Sequence, residues 1–217
     1  MLVYADGKID GSVGGGKIEY LVMQDALNLI SSSSSKSIDY DLSGDAAMQC
    51  GGKVTIYFEA SLSRANLYIF GGGHIGKVLA RYAKEFSFKV ILLDNRPEIM
   101  PQNKLDGIEY LTGEYSDLLE SLSFDIKTFV VATTHKHLHD EEIIAFCLQK
   151  PHFYLGMMSS KRKAALARKK WAENPEIESE KIDKVFAPIG VPINCETPEE
   201  IAISVLAQLI DFKNKLS

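Results

Sequence analysis

Apolar positions in the second part of this chain fall into short unbroken runs separated by stretches of helical spacing. Residues 67–70, 90–93, 108–111, 128–133, 153–157 and 185–187 are runs of the kind that parallel strands buried on both faces display. Residues 116–122, 138–149 and 159–172 carry the three-to-four spacing of helices between them. The last helix is the best delimited: Thr197 stands at an N-cap, Pro198 at the first helical position and Glu200 where it completes a capping box. Behind them run two adjacent stripes, Ile201, Val205, Leu209 and Ala202, Leu206, Ile210. Such alternation predicts an α/β fold with a doubly wound parallel sheet and a ligand crevice at the carboxyl ends of its strands.

The pattern before residue 63 is different. Residues 2–4 read as a strand with no partner element upstream, followed by an Asp6-Gly7 turn and a cluster of glycines at 11, 14, 15 and 16. Ile18, Leu21, Val22, Leu29 and Ile30 share one helical stripe, predicting a helix over about 17–30. Five serines, 31–35, end it as a surface connector. Ile38, Tyr40 and Leu42, then Val54, Ile56 and Phe58, alternate with polar residues as two strands around a turn containing residues 48–52. The expected organisation is a small α+β domain over 1–62 and a Rossmann-like domain over 63–217.

Candidate chemistry gathers at the glycines. Gly71, Gly73 and Gly76 have the spacing GxGxxG between the first apolar run and a helix start, where a pyrophosphate meets backbone N–H groups and the positive end of the helix. Asp94 closes the next run, where a carboxylate accepts ribose hydroxyls, and Arg96 beside it would accommodate a 2′-phosphate. His74, inside the glycine loop, and His135, after the fourth run, are expected at the crevice mouth. His135, His137 and His139 also form HxHxH, although a passage from strand to helix need not converge the three rings on a metal. Gly14, Gly15 and Gly16 make a second anion nest ahead of a helix whose first turn holds Glu19. Cys50 lies in MQCGGK, flanked by Gly51 and Gly52, and is the thiol most open to reaction, whereas Cys147 falls on the apolar side of its helix. Six basic residues between Lys161 and Lys170 read as a solvated helix face, with a phosphate contact as the alternative for the first three, Lys161, Arg162 and Lys163.

Composition narrows the classes. A net charge of −5 argues against general nucleic-acid binding, and three cysteines without CxxC spacing offer neither a disulfide framework nor a structural zinc site. No apolar run is long enough for a membrane span and no signal segment opens the chain, so a cytoplasmic protein is expected.

Six segments taken together, GSVGGGKIE, MQCGGKV, GGGHIGKVLA with LLDNRPE, THKHLHD, YLGMMSSKRK and PIGVPINCETPEEIAISVLAQL, resemble the XdhC/CoxI family, accessory factors of xanthine dehydrogenase and related molybdenum hydroxylases. The resemblance implies a non-catalytic chaperone that binds the molybdenum cofactor (molybdopterin), protects it during sulfuration by a cysteine desulfurase, and delivers it to the hydroxylase apo-enzyme. It also implies a homodimer. On this reading the glycine nests and Cys50, Gly51 and Gly52 hold the cofactor, with Cys50 nearest molybdenum. The family's first glycine motif often carries cysteine where this chain has Lys17, which leaves Cys50 without a second thiol. The family also has a strand and a glycine- and proline-rich loop ahead of the position of Met1, in keeping with a first strand that lacks an upstream partner. Two other classes share part of this pattern. An NAD(P)-dependent oxidoreductase would ask His74 or His135 to act as acid or base, and a nucleotide-sensing regulatory module would leave GSVGGGKIE and MQCGGK idle.

Overall fold

The computed structural model describes residues 1–32, 35–41, 52–59, 64–100 and 104–216. The chain divides into two compact units, Met1–Ser63 and Arg64–Ser217.

In the first unit β1 (Leu2–Val3) runs antiparallel to β2 (Ile9–Asp10), pairing Leu2 with Asp10. Gly7 turns between them at φ 83°, and Tyr4 N–H donates to Lys8 O at 2.8 Å. The first strand therefore takes its partner from downstream, a hairpin whose two-residue strands are too short to leave a periodic signal. Helix α1 (Gly16–Ser32) follows, then β3 (Lys36–Asp41), antiparallel to β4 (Lys53–Phe58) with Ile38 opposite Ile56 and Tyr40 opposite Val54. Ile18, Val22 and Ala26 from the inner stripe of α1 bury against Tyr40 and Phe58. Tyr40 stays hydrogen-bonded inside that core because its hydroxyl donates to Asp25 Oδ2 at 2.5 Å.

The second unit holds a five-stranded, wholly parallel sheet ordered β7-β6-β5-β8-β9. Its strands are β5 (Ala65–Phe70), β6 (Phe88–Asp94), β7 (Ile108–Thr112), β8 (Thr128–Ala132) and β9 (Tyr154–Met157). Side-chain alternation divides the apolar runs between two cores. Leu67, Ile69, Phe129 and Val131 bury against α2 (His74–Ala83) and α7 (Pro198–Lys213), while Tyr68, Phe70, Val130 and Ala132 bury against α3 (Tyr115–Ser121), α4 (His137–Cys147) and α5 (Lys161–Ala172). Both faces being covered, a strand such as β8 is buried at all five positions, which is why its sequence shows no polar alternation. Each large side chain enclosed in this way contributes about 1.5–3 kcal/mol of transfer free energy. The capping box of α7 is present in both halves, with Glu200 N–H donating to Thr197 Oγ1 and Thr197 N–H to Glu200 Oε2.

Two features differ from the reading of the sequence. Residues 185–187 do not form a sixth strand: only Phe186 bridges, in parallel, to Gly156. Phe186 N–H donates to Leu155 O and Met157 N–H to Phe186 O, both at 2.9 Å, while the flanking carbonyls of Val185 and Ala187 accept from the Arg168 guanidinium at 2.9 and 3.2 Å. A five-residue helix, α6 (Ser179–Asp183), also stands before this segment. Among the described residues no helix is long and apolar enough to cross a membrane.

Candidate functional site

The sheet order changes direction at β5, where the β5–α2 and β8–α4 loops meet, and these loops hold most of the expected crevice residues. They are in direct contact. Thr133 N–H donates to Phe70 O at 2.8 Å, and a Cβ on Gly71, whose φ is +112°, would lie 2.2 Å from Thr133 O. A Cβ on Gly76 would come within 1.8 Å of Gly71 O. Two of the three motif glycines are thus required by packing alone. Gly73 is different, since nothing lies within 4 Å of where its Cβ would be. It is also the N-cap of α2 and supplies no capping side chain, which leaves first-turn N–H groups to a ligand or to water. His74 is exposed at the start of that helix.

Asp94 is fully buried at the end of β6, and its carboxylate is already occupied. Oδ1 accepts from Arg96 N–H at 3.0 Å and Arg96 Nε at 2.9 Å, and Oδ2 from Gly72 N–H at 2.7 Å and Arg96 Nη2 at 2.9 Å. Burial would raise the pKa of this group, but the Arg96 guanidinium and the two backbone donors bring it below the ordinary carboxylate value. With four donors on two oxygens, Asp94 can accept a ribose hydroxyl only if Arg96 lets go. In this conformation the ribose contact expected from the sequence is replaced by an internal clamp that ties the glycine loop to the end of β6.

Around the clamp lie groups that the sequence reading did not single out for the site. Tyr115 is buried beside it, its pKa pushed up by burial and by the nearby Asp94 charge. Its ring meets His139 edge-on at 5.4 Å. Asp140, in the first turn of α4, is 1% exposed and accepts from Thr134 N–H at 2.7 Å. Burial pushes its pKa up to about 6 against these donors. Only the depth of the β8–α4 loop distinguishes it from its neighbours, and depth leaves no mark on a run of acidic residues. His135 is exposed, with burial and the Arg96 charge holding its pKa below the ordinary imidazole value. The rings of His135 and His139 stand 6.0 Å apart, and among the described residues no three His, Cys, Asp or Glu side chains are grouped to hold a metal ion.

In the first unit Gly14, Gly15 and Gly16 have φ of +129°, +75° and +67°, and nothing lies within 4 Å of their Cβ positions. This left-handed run turns the chain into α1 and leaves the backbone open to approach. Glu19 is tied back to it, its Oε2 accepting from Ser12 Oγ at 2.5 Å while Gly14 N–H donates to Ser12 Oγ at 3.1 Å. Gly52 is described, at φ +156° with open space at its Cβ position, whereas Cys50 and Gly51 lie outside the described residues. Cys147 is enclosed in the core, where burial raises its thiol pKa, and Cys195 Sγ rests 3.3 Å from Glu200 O.

Comparison with known proteins decides the family. The model described as the XdhC Rossmann domain matches residues 67–209, well over half of the chain. The chain belongs to the XdhC and CoxI family. A second model, described as the XdhC and CoxI family, matches residues 1–41. An uncharacterized protein of Escherichia coli K12, YqeB, is 30% identical over 220 residues, covering 99% of this chain and 40% of its own length. A Bacillus subtilis 168 protein described as a probable xanthine dehydrogenase subunit is 27% identical over 155 residues, covering 71% of this chain and 44% of its own. The chain therefore spans less than half the length of either curated relative. A Bacillus halodurans crystal structure described as a xanthine dehydrogenase matches 99% of this chain and 86% of its own, with a TM-score of 0.61 at 21% identity, which shows a shared fold. Family membership accords with the resemblance read from the six segments, and the parallel sheet with the doubly wound fold.

Proposed function

We propose that this chain is an accessory factor that binds molybdenum cofactor as cargo and assists its sulfuration and insertion into a xanthine dehydrogenase-type hydroxylase. The observation that carries this reading is that the family's two models match the chain in both units, 1–41 and 67–209. The cargo brings an anionic phosphate and a pair of sulfurs at the metal. The open, left-handed backbone at Gly14, Gly15 and Gly16 is chemically suited to the phosphate, and a thiol at Cys50 to the metal end. Glu19, fixed by Ser12, holds the turn in its shape. A cysteine desulfurase and the apo-hydroxylase would be the partners, and a homodimer the assembly.

In the second unit the same reading gives Gly73 and His74 the part of receiving a phosphate at the start of α2, with His135 at the mouth. Asp94 and Arg96 then act by holding the loop. A second ligand, NAD(P), is favoured by one observation, the uncapped start of α2 at the sheet's turning point, and would require Arg96 to leave Asp94.

Deleting the gene and measuring molybdenum content and hydroxylase activity in the cell tests the role. Hydroxylase that carries metal but is inactive for want of sulfuration, or lacks metal, is expected; normal activity with normal metal would overturn it. Purified protein is expected to retain molybdenum cofactor in equilibrium binding, and Cys50→Ala to weaken it severalfold. Retention unchanged in that variant would remove Cys50 from the site.

A further inference from the structure

At the end of the sheet opposite the crevice, the chain segments leading into β8 and β9 and the end of α6 line an open pocket of about 550 Å³. Its volume lies within the range of small-molecule sites, about 300–1,000 Å³. Its lining is partly apolar, with Ile126 and Phe153 in the wall, and Ile126 is 72% exposed. The lining also holds Lys150, Lys181, Lys184 and His152, and no carboxylate among the described residues. We propose that this pocket binds a small phosphate-bearing molecule with a compact apolar body, at a site separate from the crevice.

The charges support an anion after the opposing terms are counted. Glu178 takes Lys181 at 2.8 Å and also draws on the Lys184 charge. Lys184 makes no ion pair among the described residues, which leaves its ammonium group to a ligand, and Lys150, over the Phe146 ring at 4.9 Å, carries no carboxylate partner among them. His152 lies among these groups, its Nδ1 2.8 Å from Lys150 O. Burial holds its imidazole below the ordinary pKa, with smaller contributions from the Lys181 and Lys184 charges, against the carbonyls of Lys150 and Cys147, which favour the charged ring. The lining offers lysine ammonium groups, mobile point charges of the kind that serve phosphate, and no guanidinium fork. In a chain of net charge −5, a carboxylate-free concavity of this kind gathers anions locally.

The full-length protein would be titrated with phenyl phosphate, inorganic pyrophosphate and citrate, following the His152 ring by NMR and heat by calorimetry. Phenyl phosphate is expected to saturate below about 1 mM with a shift at His152, and to bind more tightly than pyrophosphate, which lacks the apolar body. Lys184→Gln should weaken it about tenfold, the loss of one charge-assisted contact, while Lys169→Gln on the outer face of α5 should leave it unchanged. Trp171 emission checks that each variant is folded. The proposal fails if His152 does not respond, if Lys184→Gln and Lys169→Gln behave alike, or if citrate binds as well as phenyl phosphate.

Discussion

Gly73 and Gly76 belong to one motif, yet the structure assigns them opposite roles, and replacing each by alanine separates packing from ligand binding. At Gly76 the added Cβ would stand 1.8 Å from Gly71 O, more than an ångström inside the 3.0 Å that Cβ atoms essentially never breach. The obstacle is backbone, held in place by Gly71 N–H donating to Leu93 O at 2.7 Å, so no side chain can rotate out of the way. Helix α2 must move off β5, and α2 is also packed on α7 through Leu79, Ala80 and Ala83 in the same core as Ala202 and Val205. Overpacking ordinarily costs about 1–3 kcal/mol, and a backbone obstacle places this substitution at about 3 kcal/mol or above. At Gly73, with φ −69° and open space, alanine fits the existing conformation, and stability should change by less than about 1 kcal/mol, with the stiffer unfolded chain favouring alanine. Urea unfolding followed by fluorescence is a suitable assay because the single tryptophan, Trp171, is 2% exposed within the second unit and reports on it alone. The same Gly73→Ala protein, folded, is expected to lose phosphate-bearing ligands from the crevice. An unchanged midpoint for Gly76→Ala, or a loss above about 2 kcal/mol for Gly73→Ala, would refute the division.

Three further outcomes follow from the same unit. Asp140, with its pKa raised to about 6, stabilises the fold when protonated, so its contribution is complete below the ordinary carboxylate value of 3.8 and is lost as pH rises through about 6. The difference is roughly 3 kcal/mol, and Asp140→Asn, which keeps an acceptor for Thr134 N–H, should remove that fall from a stability profile between pH 4 and 7; a profile unchanged by the substitution would contradict it. Asp94, held low, acts in the opposite sense and in a lower window, losing its contribution as pH falls below the ordinary value. Arg96→Met should cost about 2–4 kcal/mol by stranding the buried Asp94 carboxylate, and adding Asp94→Asn should recover part of the loss; additive effects in the double-mutant cycle would show that the clamp is not coupled. Thr197→Ala should cost about 1 kcal/mol through loss of the α7 cap, read as a lower urea midpoint.

The sequence was legible wherever burial was two-sided or chemistry local. Runs such as Leu67–Phe70 and Val90–Leu93 could be read as strands because a sheet covered by helices forbids polar residues on either face. Helix α7 could be read from Thr197, Pro198 and Glu200 because a capping box lies wholly within four residues. Short or non-local features were not legible. Strand β2 and α6 have too few residues to set up a period, and residues 185–187, apolar enough for a strand, pair with β9 through Phe186 alone. The site was ambiguous for a related reason. Asp94 and Arg96 stand two apart at a strand end, where alternation places both side chains on one face. That spacing serves equally for two groups reaching a nucleotide and for two groups holding each other, and Gly72 N–H, a donor no side-chain pattern encodes, helps favour the second arrangement. The pocket at the other end of the sheet is a stronger instance. Lys150, Lys181 and Lys184 each sit near a helix end, where a lysine is favoured by the dipole whatever else it does. Read singly along the chain they are solvated charges, and only the fold, which brings the end of α6 to the segments entering β8 and β9, makes them neighbours.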